Sequence, residues 1–136
     1  MPSMTDAANR PQSSPTAPFS IAKHDLDSHT TVVAVTGELD LSSAPSLKWT
    51  LVDLLEAGCN QLVVDLSLVT FMDSTALGVL IGVNRSLDVG ARLAIVSENT
   101  NVLRIFELSG LDGAFAIFST VDEALAYVRS GAAPAG

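Results

Sequence analysis

Apolar positions along this chain fall into two alternating patterns. Thr31-Val32-Val33-Ala34-Val35-Thr36, Leu62 to Leu66, Arg92 to Val96 and Phe115 to Phe118 are short runs with little polar interruption, rich in β-branched or aromatic residues. Such runs predict strands buried on both faces. Phe19 to Asp25 is a further, more polar candidate for an edge strand. The stretches between them carry helical spacing. Leu47, Leu51, Leu54 and Leu55 form an i, i+4, i+7, i+8 stripe, with Ser42 and Ser43 as candidate caps, Pro45 in the first turn and Gly58 as the stop. Further helices are predicted from Ser74 to about Asp88, from Thr100 to Leu108 before Gly110, and from the capping-box pattern Thr120-Val121-Asp122-Glu123 to about Arg129. Strands alternating with helices predict one α/β domain with a mainly parallel sheet of four to five strands and about four helices. Any antiparallel pair belongs at the N-terminal edge.

The ends read differently. Residues 1–18 hold Pro2, Pro11, Pro15 and Pro18, four of the six prolines, among Ser, Thr, Ala, Asn and Gln. That composition buries too little apolar surface to offset chain entropy, so 1–18 is expected to be a disordered tail and 131–136 a flexible one, with the domain at 19–130.

Charge narrows the partners. Seven basic against fifteen acidic residues give a net charge of −8, which disfavours nucleic acid and anionic membrane surfaces. The single cysteine, Cys59, allows neither an internal disulfide nor a cysteine metal site. The N-terminus lacks a basic segment followed by an apolar one, and the longest apolar run, Ala76 to Val83, is far short of the ~20 residues that span a bilayer. A cytoplasmic protein is expected, with no metal and no cofactor.

One stretch organises the rest. Val63 to Val83 reads as a buried strand, a short link, and a helix beginning at Asp73-Ser74-Thr75. Ser74 therefore stands where a helix presents free N–H groups and its positive dipole end, as a cap or as a place for an anionic group such as phosphate. At about 100° per residue, Ser74, Gly78, Gly82 and Arg85 lie within about 80° of one another, while Leu77, Leu80, Val83 and Leu87 face the other way. Each helical glycine costs about 1 kcal/mol relative to alanine, so two on one strip call for a reason: close packing within the chain, or access for a partner.

Catalytic readings fail on spacing. No Gly-x-Ser-x-Gly elbow surrounds Ser74, and His24 and His29 sit near the N-terminal edge with nothing to bring them to it. No glycine-rich phosphate loop with its lysine is present. Asp65 ends its predicted strand as a receiver-domain phosphoacceptor does, but the acidic pair and the lysine of such a site are missing, so it reads as a polar strand end bonded to nearby loop backbone. Gly37-Glu38-Leu39-Asp40 follows the second strand, and it shares a sheet edge with Asp73-Ser74 if the two strands are adjacent and parallel.

Four segments carry a family resemblance. Thr36-Gly37-Glu38-Leu39-Asp40, Val64-Asp65-Leu66-Ser67, Phe71-Met72-Asp73-Ser74-Thr75-Ala76-Leu77-Gly78 and Leu108-Ser109-Gly110-Leu111 resemble the signature segments of STAS-domain anti-anti-sigma factors, over roughly 20–128. The resemblance implies a binding module without catalytic residues. Its partner would be an anti-sigma factor that is a serine/threonine kinase of the histidine-kinase-like ATPase superfamily. The unphosphorylated form would bind that kinase and free the sigma factor, and phosphorylation of the serine after Met-Asp, here Ser74, would abolish binding. A PP2C-type phosphatase would restore it. Thr75 is a second, less favoured hydroxyl. Asp40, Asp73, Ser74, Thr75 and Gly78 are the partner-binding residues so implied. The family commonly has glycine where this chain has Ala76, which is expected to stiffen the first helical turn and crowd the surface. A second reading is a STAS ligand-sensing or scaffold module that is not controlled by phosphorylation.

Overall fold

The computed structural model describes residues 18–111 and 113–130; apart from Pro18, the two expected tails lie outside the described residues. In chain order the elements are β1 (Ser20–Asp25), β2 (Thr30–Leu39), α1 (Ala44–Glu56), β3 (Gln61–Met72), α2 (Ser74–Arg85), β4 (Arg92–Val96), α3 (Thr100–Leu108), β5 (Ala116–Phe118) and α4 (Val121–Ser130). The five strands form one sheet in sequential order. β1 pairs antiparallel with β2, and every later neighbour is parallel, as the crossover helices require.

Continuous apolar strands serve two cores because successive side chains point to opposite faces. Val33, Val35, Leu62, Val64, Leu66, Leu93 and Ile95 face one side, where Leu47 and Leu51 of α1, Leu77 and Leu80 of α2 and Val102 and Phe106 of α3 cover them. Val32, Val63, Ala94, Val96 and Phe118 face the other, under Ala124 and Val128 of α4. The Phe106 and Phe115 rings meet edge to face with centroids 5.3 Å apart.

The third strand departs from expectation. It was predicted over Leu62 to Leu66, but β3 runs on to Met72, and β2 continues through Gly37 to Leu39. Two register shifts, between Ala34 and Thr36 and between Gly37 and Glu38, each give β3 one extra residue against β2. These bulges explain why the continuation hides from a period-two reading: Leu66, Val69 and Met72 are spaced by three yet all lie in the same core. Gly37 has φ 98°, a left-handed conformation that glycine adopts without a Cβ clash, and the pairing runs through it to Leu39 instead of ending there. Asp65 therefore lies within a strand, not at its end. Its carboxylate accepts hydrogen bonds from the Ser67 N–H at 3.0 Å and from the Ser67 hydroxyl, satisfying backbone at the first bulge.

Candidate functional site

Beyond Asp65, which pairs with Val96, β3 has left β4 behind and continues against β2 alone. Leu39 pairs with Met72, and the Asp73 N–H donates to the Leu39 carbonyl at 3.0 Å. The segments Glu38-Leu39-Asp40 and Met72-Asp73-Ser74 thus leave neighbouring parallel strands at the same end of the sheet, where α/β proteins place their sites. The juxtaposition expected from sequence is realised.

Each loop is held by its own carboxylate. Asp40 Oδ1 accepts from the N–H groups of Ser42 (3.0 Å) and Ser43 (3.1 Å) and from the Ser42 hydroxyl (2.8 Å). The Ser43 hydroxyl accepts from the Asp40 N–H at 2.9 Å and donates to the Glu38 carbonyl at 2.8 Å. Neither serine side chain caps α1 as predicted; Ser43 occupies the N-cap position but its hydroxyl is turned back toward β2, and Asp40 organises the turn. The Ser42 hydroxyl, and then the Ser43 N–H, hold the Asp40 carboxyl below the usual aspartate range.

At α2 the cap is Asp73. Its Oδ1 accepts from Thr75 N–H at 2.9 Å and Ala76 N–H at 3.1 Å. Of the two roles open to Ser74 from sequence, capping falls to its neighbour, and Ser74 is the first helical residue. It is exposed, and among the described residues its hydroxyl has no hydrogen-bond partner. Thr75 is exposed beside it. Ala76 is fully buried in the core, so its methyl group crowds no surface; the sequence expectation is corrected on that point. The helix ends at Arg85 instead of near Asp88, because Ser86 turns back through its N–H and hydroxyl to the Val83 carbonyl at 3.0 and 2.9 Å.

Gly78 and Gly82 are exposed, and a Cβ built at either meets nothing within 4 Å. Close packing among the described residues does not account for them. They floor a groove of about 460 Å³ between α1 and α2, with Lys48 and Val52 on one wall and Thr75, Val79, Val83 and Ser86 on the other. Sequence reasoning missed the α1 wall. Val52, apolar and outside the stripe of Leu47, Leu51, Leu54 and Leu55, was the available signal.

The histidines lie elsewhere. His29 is in the β1–β2 hairpin and His24 opposite Val32, toward the N-terminal end of β2, whereas Ser74 follows the C-terminal end of β3. No base approaches Ser74 from them. Cys59 is buried beside the Gln61 carbonyl, away from the site. No described helix is long and apolar enough to cross a membrane.

Known proteins are similar to this chain in sequence and fold. The chain is 32% identical over 100 residues to the anti-sigma-F factor antagonist RsfB of Mycobacterium tuberculosis, covering 74% of this chain and 82% of that one. It is 35% identical over 80 residues to the anti-sigma-B factor antagonist of Staphylococcus aureus, covering 58% and 74%. The crystal structure of an anti-sigma factor antagonist from Mycobacterium paratuberculosis superposes with a TM-score of 0.79 at 32% identity, covering 85% of this chain and 99% of that one. The STAS domain model matches residues 21–124, from β1 into α4. With that match spanning most of the chain and the sheet order in place, this chain belongs to the STAS domain family.

Proposed function

We propose that the chain is a cytoplasmic anti-sigma factor antagonist controlled at Ser74. Unphosphorylated, it binds an anti-sigma factor serine/threonine kinase and releases the sigma factor. The kinase phosphorylates Ser74, the complex is lost, and a PP2C-type phosphatase resets the switch. In this reading the chain catalyses nothing, and ATP belongs to the kinase. The observation that carries it is an exposed serine hydroxyl, free of partners among the described residues, at the head of an open glycine strip. The named roles of RsfB and the staphylococcal relative support it.

The physical basis of the switch is local. A phosphate adds about 1.5–2 negative charges. Within the chain it gains from the α2 N-terminus and loses against Asp73, so the fold is expected to persist. At an interface fitted to a neutral hydroxyl, the same dianion costs several kcal/mol to desolvate. Asp40, Asp73, Thr75 and Gly78 would line the surface that meets the kinase.

The test is incubation with ATP and each candidate anti-sigma kinase, then phosphosite mass spectrometry, with binding of Ser74→Asp measured in parallel. Phosphate on Thr75 alone or on neither hydroxyl, or Ser74→Asp binding as tightly as wild type, rejects the reading. The groove of about 460 Å³ favours a second one, a ligand-sensing STAS module. A metabolite that strongly raises the melting temperature, with no kinase bound, would select it.

A further inference from the structure

Leu68 and Phe71 are 66% and 45% exposed, large apolar side chains immediately before the Asp73-Ser74 site. They are on one face for a reason. Leu68 pairs with Thr36 and Phe71 with Glu38, and the bulge between those pairs keeps two residues spaced by three on the same side. Thr36 and Glu38 alternate with the core residues Val35 and Leu39, so this side is opposite α1, α2 and α3. It is the side of α4, but α4 packs against β3, β4 and β5 nearer the other end, and among the described residues it leaves the tip of the β2–β3 ribbon uncovered.

The surroundings specify what would cover it. The strand ends and connections at this end of the sheet, residues 37–43, 68–75, 97–99 and 119–122, hold Glu38, Asp40, Asp73, Glu98 and Asp122 and neither Lys nor Arg. An apolar pair with the Glu38 carboxylate directly opposite Phe71, at an end of the sheet whose other charges are acidic, fits a protein surface that offers an apolar pocket rimmed by basic side chains. The pair is also continuous with the site, since Phe71 leads through Met72 and Asp73 into Ser74.

We propose that Leu68 and Phe71 form a second contact surface for the anti-sigma factor, which straddles the sheet edge from the start of α2 to the far face of the β2–β3 ribbon. This rests on the antagonist reading above. It gives the two regions different tasks: Ser74 reports the phosphorylation state, and the apolar pair supplies affinity independent of it.

The test uses the full chain with Leu68→Ser, Phe71→Ser and both together, titrated against each purified anti-sigma factor encoded in the same genome. Buried apolar anchors commonly cost over tenfold in affinity when truncated. The double variant is expected to bind at least about tenfold more weakly than wild type. Because Leu68 is the more exposed, Leu68→Ser should lower affinity with an unchanged melting temperature, which separates lost contact from lost fold. Amide exchange over residues 66–72 should slow in the complex. Affinities within twofold of wild type overturn the proposal, as does a wild-type dimer that Leu68→Ser converts to monomer without touching kinase binding. Under both results the antagonist reading stands. A wild-type chain that binds none of the anti-sigma factors overturns that reading, and this proposal with it.

Discussion

The Asp73 N–H donates to the Leu39 carbonyl at 3.0 Å, so the residue that caps α2 hangs from the strand that delivers Asp40. One backbone bond thereby fixes the two loops relative to each other. The Asp73 carboxylate is left to receive the Thr75 and Ala76 N–H groups. Site geometry and helix stability meet in this aspartate.

Removing that carboxylate should show in stability. Asp73→Ala leaves two first-turn N–H groups without their acceptor and is expected to cost about 1 kcal/mol, a fall in melting temperature of about 3–6 °C. Asp73→Asn keeps the acceptor oxygen and should recover most of the loss. Thermal denaturation of the three proteins decides it; equal stability of Asp73→Ala and wild type would remove Asp73 from the capping role.

Ser74 should behave in the opposite way. Its exposed hydroxyl lacks a partner among the described residues, so Ser74→Ala is expected to change stability by less than about 0.5 kcal/mol. Incubation with the kinase and ATP should then leave this variant unlabelled while wild type gains one phosphate. A large stability loss would mean that the hydroxyl works for the fold, and the division of labour between Asp73 and Ser74 would collapse.

These two residues also mark how far sequence could lead. That a polar trio opens a helix here was legible, because Leu77, Leu80 and Val83 set its buried face. Which of the trio caps was not, since Asp, Ser and Thr are all competent and only the backbone at Asp73, extended at φ −108° and ψ −177°, selects one. The double-faced strands were legible from their unbroken apolar runs. The second half of β3 was not, because its two bulges replace the alternation on which strand recognition depends. Leu68 and Phe71 consequently read as link residues, and their shared exposed face emerged only from the register. Ala76 was misplaced for a different reason. Its surface position was expected from the glycine that the family commonly has there, whereas helical geometry sets it about 200° from Ser74 and turns it inward.

Acid should loosen the turn that Asp40 builds. The Ser42 hydroxyl and the Ser43 N–H stabilise the charged carboxylate, so its folded pKa lies below its unfolded one. The stabilisation is therefore complete above the ordinary aspartate range and disappears as pH falls through the lower, folded value. Following the Asp40 carboxyl carbon by NMR should show a midpoint below that of the same residue in urea. Ser42→Ala should move the midpoint up toward the unfolded value. A midpoint at or above that value would remove the serine bonds as its cause.

The glycine strip offers a prediction with two signs. Gly78 and Gly82 have no neighbour within 4 Å of a built Cβ, and neither has positive φ, so alanine fits both places without strain. Each substitution should stabilise the chain by roughly 0.5–1 kcal/mol, through helix propensity and a less disordered unfolded state. The same methyl groups enter the groove between α1 and α2 and stand in the path of whatever approaches Thr75 and Ser74. Gly78→Ala, one turn from Ser74, should therefore melt higher and yet be bound and phosphorylated more weakly by the kinase, with Gly82→Ala less affected. Calorimetry and kinase titration on the same samples test both halves. If both variants gain stability and keep full kinase affinity, the bare strip serves no partner. If both lose stability, packing that a static Cβ does not meet is what requires glycine there.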